Sequence, residues 1–278
     1  MTAPVLLATE PTQLFEVPAL EHMFEYPALF FENVTVLGIP LGFNRVALLT
    51  FVAVAILSAL WLGAFRDPKV VPGKFQAVME SIVGFIRDYI VIEVIGPAGL
   101  RFVPFLTTLF VFIFLGNLFE VTPLINFPIT SRMALPAFLA FVTWTIFVLV
   151  GIKEQGGRGY MRNVALPPGV PGWVMPLVIP IEVLSTFLVR PLTLSIRLFA
   201  NMLAGHIILT IIFIGANAFF FDIHSLTFNM KGSIIGFLLG FLAGPTMVGF
   251  EIAISALQAY IFTILTAVYI SSSMHPEH

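Results

Sequence analysis

Two apolar stretches late in this chain, about Trp173 to Phe221 and about Gly232 to Ser271, constrain its fold more than anything else in it. Forty residues of helix would run roughly 60 Å, against a hydrocarbon core of about 30 Å. Each stretch is therefore either one long helix, tilted or bent, or a helical hairpin. Pro176, Pro180, Pro191 and Pro245 can supply kinks. A hairpin in the first stretch would turn near Arg190 and Pro191 and would bring Arg197 to an interface. Neither stretch carries a Gly/Asn/Asp turn signal near its middle, which favours the long helix.

Three shorter spans precede them. The first runs from Phe43 to Phe65 and ends at Arg66-Asp67-Pro68-Lys69; the others cover about Phe102 to Phe119 and Met133 to Ile152. Between the first two, Phe75, Val78, Met79, Ile82, Ile86 and Tyr89 recur at helical spacing among Lys74, Glu80, Arg87 and Asp88. That pattern predicts an amphipathic helix over about 73–95, lying on the membrane surface or against a partner, and equally fits a plain connector helix. The expected fold is an all-α integral membrane protein. It has five transmembrane helices, over about 43–65, 102–119, 133–152, 173–217 and 232–272, plus one amphipathic surface helix. The last two spans are long, tilted and antiparallel. Residues 1–42, acidic and broken by proline, read as an outer-side aqueous segment, and 43–278 as a single membrane domain.

Composition narrows the function classes. Only 10% of the 278 residues are charged and 59% are hydrophobic, where a soluble protein carries about 25% charged residues. There is no cysteine, so neither disulfides nor thiolate metal sites are available, and no metal or other cofactor is expected. A net charge of −2 without a basic cluster excludes nucleic acid as a partner. No Lys or Arg precedes Arg45, so the start lacks the basic region of a cleavable signal peptide, and the first span is expected to be retained. Arg66, Lys69 and Lys74 lie in one loop, and Lys153, Arg158 and Arg162 in another. The positive-inside rule makes both cytoplasmic, with the N-terminus outside and the C-terminus inside.

Polar residues inside the membrane concentrate in the last two stretches: Glu182, Arg190, Arg197, Asn201 and His206, then Glu251, Ser255 and Gln258. Arg197 is the costly one. Its charge cannot be removed by a pKa shift, and a guanidinium at membrane depth costs on the order of 2.5–3.5 kcal/mol even on the mildest scale. Arg197 and Asn201 share a helix face. His206 lies roughly 13–14 Å further along, on the opposite side of an ideal helix. In an antiparallel pair turning near residue 227, Arg197 is level with about position 257, beside Gln258. His206 is then level with about position 248, within one turn of Glu251. His and Glu titrate, and Asn, Gln and Ser can hold a file of water, so two such depths suit a proton path. Each group alone would pass for packing or interhelical glue. Gly232, Gly236, Gly240 and Gly244 form a small-residue stripe for close helix approach and carry no chemistry. Arg190, two turns from Arg197, can snorkel, and Glu182 either lines an aqueous exit or sits at the interface.

The run from Arg190 to His206, RPLTLSIRLFANMLAGH, closely resembles the signature of subunit a of F-type ATP synthases. So do Leu257-Gln258-Ala259-Tyr260-Ile261-Phe262 through Val268-Tyr269-Ile270, and Asn117-Leu118-Phe119-Glu120 with Pro123. The resemblance covers most of the chain beyond Phe43. It implies a stator subunit of the F0 sector that holds two aqueous half-channels against a rotating ring of c subunits. Arg197 matches the family's essential arginine, which separates the channels and promotes deprotonation of the ring carboxylate. Asn201, His206, Glu251 and Gln258 match inlet positions, Glu120 matches an acidic inlet position of some members, and Ser255 and Arg190 are auxiliary candidates. Some members exchange Glu and His between positions 206 and 251; this chain has the organelle-like order. Glu182, the candidate exit residue, stands one residue further from the Pro191 motif than in some relatives, and Arg132 falls where some have an inlet serine. The implied partners are the c-ring, b-type peripheral-stalk subunits and the lipid bilayer, within a hetero-oligomeric ATP synthase. The chain is not an enzyme alone. A bacterial plasma membrane is preferred over an organelle inner membrane. The rival reading is a secondary transporter or channel with Arg197 as an anion site, but no paired repeat is visible. A structural subunit of a respiratory complex would leave Arg197 without a task.

Overall fold

The computed structural model describes residues 35–36, 39–40, 44–122, 125, 127–166, 173–222, 227–228 and 233–274. The expected segment 1–42 and Gly232 lie almost wholly outside them. The architecture is all-α. Two-residue antiparallel ladders, Thr35–Val36 with Ile39–Pro40 and Phe221–Asp222 with Thr227–Phe228, are the only strand pairs among the described residues. Among the described residues, five helices are long and apolar enough to cross a membrane.

Helix α1, Arg45–Phe65, starts at Asn44, whose Oδ1 accepts from Ala47 N at 3.0 Å. That cap replaces one of the missing helical partners of the first turn. Arg45 reaches out of the apolar zone and donates from Nη2 to the Ile125 carbonyl at 2.6 Å. Helix α2, Lys74–Ile86, continues as a π-turn over Arg87–Ile92, slightly shorter than expected. Gln76 ties the preceding loop to it: its amide bridges the backbone of Lys69 and bonds Glu80 Oε1 at 2.7 Å. One face of α2 and its π-turn is buried at Met79, Ile86, Ile90 and Val91; the other leaves Phe75, Val78, Phe85 and Tyr89 exposed. The helix therefore packs on the bundle and still turns an apolar face outward.

Gly96, with φ +86°, makes the corner that follows, in a region of φ/ψ space that favours glycine. A 3₁₀ turn at Pro97–Phe102 then leads into α3, Val103–Leu118, so this span begins earlier than the apolar run implied. The 3₁₀ turn Ile129–Ser131 precedes α4, Ala134–Gln155. After Gly156, also at positive φ (+74°), helix α5, Gly157–Ala165, folds Tyr160 onto Gly151. Any Cβ at Gly151 would collide with that ring, and burial there raises the Tyr160 phenol pKa.

The Trp173 stretch is helical throughout. Helix α6, Met175–Leu184, a π-turn at Ser185–Val189 and helix α7, Arg190–Phe220, run on without a turn at Pro191. The hairpin alternative is therefore excluded. Helix α8, Ser233–Phe237, a π-turn at Leu238–Ala243 and helix α9, Gly244–Met274, make up the last stretch.

The chain divides into two compact units. The described part of the smaller one lies in Ile207–Phe250 and contains the second two-residue ladder. The larger unit, Ala28–His206 with Glu251–His278, holds every candidate site residue. At one end of it Arg101 Nη2 meets Glu154 Oε1 at 2.5 Å, Gln155 Nε2 donates to the Ser273 carbonyl at 2.6 Å, and Ser271 Oγ donates to the Val94 carbonyl at 2.9 Å. An apolar core sits just inside that end: Ile86, Ile90, Val91, Val103, Leu106, Phe147, Ala267 and Ile270. Lipid is as apolar as these side chains, so close packing rather than expulsion from water must hold such helices together. Gly116 shows the device, for a Cβ there would stand 2.7 Å from Ile129 Cγ1. Gly116→Val should push the 129–131 turn off α3 and cost about 1–3 kcal/mol. Thermal unfolding of the purified protein in detergent measures it, and an unshifted midpoint would show that the turn is free to move.

Candidate functional site

At the end of the larger unit opposite the Arg101–Glu154 pair, α3 delivers Asn117 and, in the turn just past its C-terminus, Glu120. Both are buried, at 0% and 1% exposure. Thr130, brought back by the 3₁₀ turn, donates from Oγ1 to Asn117 Oδ1 at 2.6 Å, with Ser131 buried beside it. Helix α7 contributes His206, whose Nδ1 lies 3.8 Å from Glu120 Oε1, and Phe127 meets the imidazole edge to face at 5.7 Å. Helix α9 contributes Glu251 and Ser255, each 1% exposed. The Glu251 carboxyl rests on Gly205: a Cβ at that position would stand 2.6 Å from Glu251 Cδ. The absence of a side chain at 205 is what lets a carboxyl lie against α7 at this depth.

These groups are buried more completely than they are satisfied. Asn117 Nδ2, both oxygens of Glu120, Glu251 Oε2, Ser255 Oγ and Asn201 Nδ2 have no hydrogen-bond partner among the described residues. Buried polar atoms are almost always hydrogen-bonded, so a group of exceptions in one place marks a candidate functional site. Among the described residues no three His, Cys, Asp or Glu side chains are grouped to hold a metal ion.

Arg197 stands apart. Leu194, Leu198 and Met202 of α7 point into the bundle, while Arg197, Ile196, Ala200 and Ala204 are exposed on its outer face. Arg197 has no ion pair or hydrogen bond among the described residues. Asn201, one turn on, is half-buried, bridging the outer face and the buried group. Gln258 is half-buried as well and makes no bond to Arg197. Arg190 is half-buried, its guanidinium 5.3 Å from the centre of the Tyr269 ring. Glu182 lies half-buried on α6 between Pro180 and the π-turn, without an ion pair among the described residues. The structure thus gathers Glu120, His206, Glu251 and Ser255, leaves Arg197 facing outward, and keeps Glu182 and Arg190 in a separate region. The contacts of Gly205 with Glu251 and of Arg190 with Tyr269 give α7 and α9 the antiparallel register expected from depth matching.

Sequence reasoning did not single out Thr130, Ser131 or Gly205 as site-forming. A hydroxyl in a proline-rich turn has no periodicity to betray it, and only a fold can show that a glycine makes room for a carboxyl.

Residues 46–271 match the model of the family described as ATP synthase A chain. Among curated proteins, the chain is 39% identical over 267 residues to an ATP synthase subunit a of Frankia alni, covering 95% of this chain and 88% of the relative. It is 43% identical over 234 residues to one of Parafrankia sp. (84% and 76%) and 34% identical over 264 residues to one of Rhodococcus erythropolis (95% and 92%).

The seat of Glu251 is directly testable. Gly205→Ala should destabilise the purified protein by about 1–3 kcal/mol, and Glu251→Ser in the same chain should restore most of that loss. Thermal unfolding of the two single variants and the double variant reads the coupling. Simply additive losses would place the carboxyl away from Gly205.

Proposed function

The chain belongs to the ATP synthase A chain family, the proton-translocating subunit a of the F0 sector, and from that premise we propose how its residues carry protons. It is not an enzyme alone; it is a membrane subunit of a hetero-oligomeric ATP synthase, and its relatives named above are bacterial. In this reading Glu120, His206, Glu251 and Ser255, with Asn201 and Gln258, line an inlet half-channel from the outer side. Glu182 lines the exit toward the cytoplasm, and Arg190 is auxiliary. The membrane is the bacterial plasma membrane, with the N-terminus outside and the C-terminus cytoplasmic. The ring of c subunits passes the Arg197 face, and b-type subunits hold the chain still.

The observation that carries the proposal is the outward-facing, unpaired Arg197 with unsatisfied titratable groups buried behind it. A permanent cation at membrane depth with no counter-charge among the described residues is matched by a carboxylate arriving on another subunit. A nearby cation lowers a carboxyl pKa by about 1–3 units, so a ring carboxyl reaching Arg197 ionises. Its proton leaves by the exit, and the ring turns until the carboxylate meets the inlet and is protonated again. Each proton crossing releases about 2.3 kcal/mol per 100 mV. The fixed charge also blocks direct passage between the two channels. A transporter using Arg197 to bind an anion would enclose it. The groove between α4 and the long helix, lined by Ala140, Trp144, Phe187, Pro191 and Ser195, is apolar and does not include it.

Arg197→Ala should abolish proton-driven ATP synthesis in membrane vesicles while the subunit still assembles, and normal synthesis would sink the mechanism. Arg197→Lys is expected to fail too, because an ammonium is more strongly hydrated and lacks the planar fork. Glu251→Leu should cut proton flux at least tenfold, the low end of what a positioned proton-transfer group gives. Unchanged flux, read from ATP-driven acidification of inverted vesicles, would reduce Glu251 to packing.

A further inference from the structure

The two ends of the larger unit's interior differ in kind, and the boundary between them is sharp. Toward the outer side several buried polar groups keep an unpartnered atom: Asn117 Nδ2 and both oxygens of Glu120 at the end of α3, Thr143 Oγ1 on α4, Asn201 Nδ2 on α7, Glu251 Oε2 and Ser255 Oγ on α9. Toward the cytoplasmic side the buried threonine hydroxyls of α3 and α9 are spent on their own helices. Thr107 donates to the Val103 carbonyl at 2.8 Å, Thr263 to Ala259 at 2.7 Å and Thr266 to Phe262 at 2.8 Å. A hydroxyl bonded back in this way offers little to a water file. Below them the space is closed by Leu106, Phe147 and Ile270, exposed 0%, 1% and 0%, with Ile86, Ile90 and Val91 behind.

On α4 the change occurs within one turn, from the unpartnered Thr143 hydroxyl to the buried Phe147 ring. The other unpartnered buried atoms among the described residues do not continue the file. They are the indole N–H groups of Trp61 and Trp144; the Tyr160 hydroxyl lies beyond the closed zone at the cytoplasmic rim, beside Ser273. Phe147 is held from below by the Tyr269 ring, centroids 5.7 Å apart.

We propose that Phe147, with Leu106 and Ile270, is the dry floor of the inlet half-channel, the barrier that stops protons from continuing through this subunit to the cytoplasm. This rests on the inlet reading given above. A tightly packed apolar plug holds no water, because water there would find no hydrogen-bond partner. Hydrophobic constrictions block ion passage by the same dewetting. With the floor shut, a proton that has reached Ser255 leaves only sideways, at the depth where Arg197 faces out. Arg197 then guards the lateral opening while Phe147 guards the vertical one, and coupling of flux to rotation needs both.

The experiment uses inverted membrane vesicles bearing the complete complex, with the decay of an imposed pH difference followed by a pH-sensitive dye. Phe147→Asn puts an amide into the floor and should speed the decay on the order of tenfold or more, since one polar group can hold the water that the ring excludes. Leu149→Asn, at an outward-facing position of the same helix, should hold the gradient like the parent. An equal leak there would overturn the floor. In the double variant Phe147→Asn/Glu251→Leu the leak should disappear, because its supply from the outer side is cut. An assembled but proton-tight Phe147→Asn complex overturns the floor and leaves the inlet reading intact. A leak that survives Glu251→Leu overturns the inlet reading itself. If Phe147→Asn does not assemble, Ile270→Asn brings the same amide in from α9, and a tight, assembled Ile270→Asn complex overturns the floor equally.

Discussion

A hydrocarbon environment offers no hydrogen bond, and the structure depends on how each polar group answers that constraint. Many are answered locally: Thr50, Thr107, Thr145, Thr246, Thr263 and Thr266 all donate to the carbonyl one turn back. A few are answered across the fold, as Thr130 answers Asn117 and Arg45 answers the Ile125 carbonyl. The remainder, Glu120, Glu251, Ser255 and Asn201, keep unpartnered atoms, and Arg197 keeps its whole charge on an outer face. An unanswered group in such a medium is expensive, and under the proposed function that cost is met by water, protons or a neighbouring subunit.

Holding these groups in register takes a stiff frame, and the frame is built from absences as much as from contacts. Gly116 admits Ile129, Gly151 admits Tyr160 and Gly205 admits the Glu251 carboxyl, each where a methyl group would collide. Polar staples then lock the end away from the site, where Arg101, Glu154, Gln155, Ser271 and Ser273 tie three helices together. With that end fixed, the long helices carry their titratable residues at constant depth. The π-turn at Ser185–Val189 adds a change of phase between Glu182 and Arg197.

Much of this was legible in the residues. Apolar runs marked five spanning helices to within a few residues, since length and hydropathy depend on the bilayer rather than on tertiary detail. The amphipathic segment announced itself by its periodicity, although its burial against the bundle core did not follow from it. The long helix rather than a hairpin at Pro191 followed from missing turn signals. Starts and stops were less legible: the second span opens in a 3₁₀ turn at Pro97 that no apolar run marks. The pairing of His206 with Glu120, 86 residues away in sequence, was out of reach of any local pattern.

The sequence by itself determined that this chain crosses a membrane, that Arg197 is charged there, and that its own helix offers no acidic residue within two turns of it. Those are properties of residue type and spacing along one helix. Only the tertiary structure decided that Arg197 faces outward while His206 turns in against Glu120, that Glu251 lies in the space left by Gly205, and that Phe147 packs into one apolar core with Leu106 and Ile270. Each of those depends on which helices are neighbours and at what rotation. That is set by side-chain packing between segments distant in the chain, and no single segment contains it.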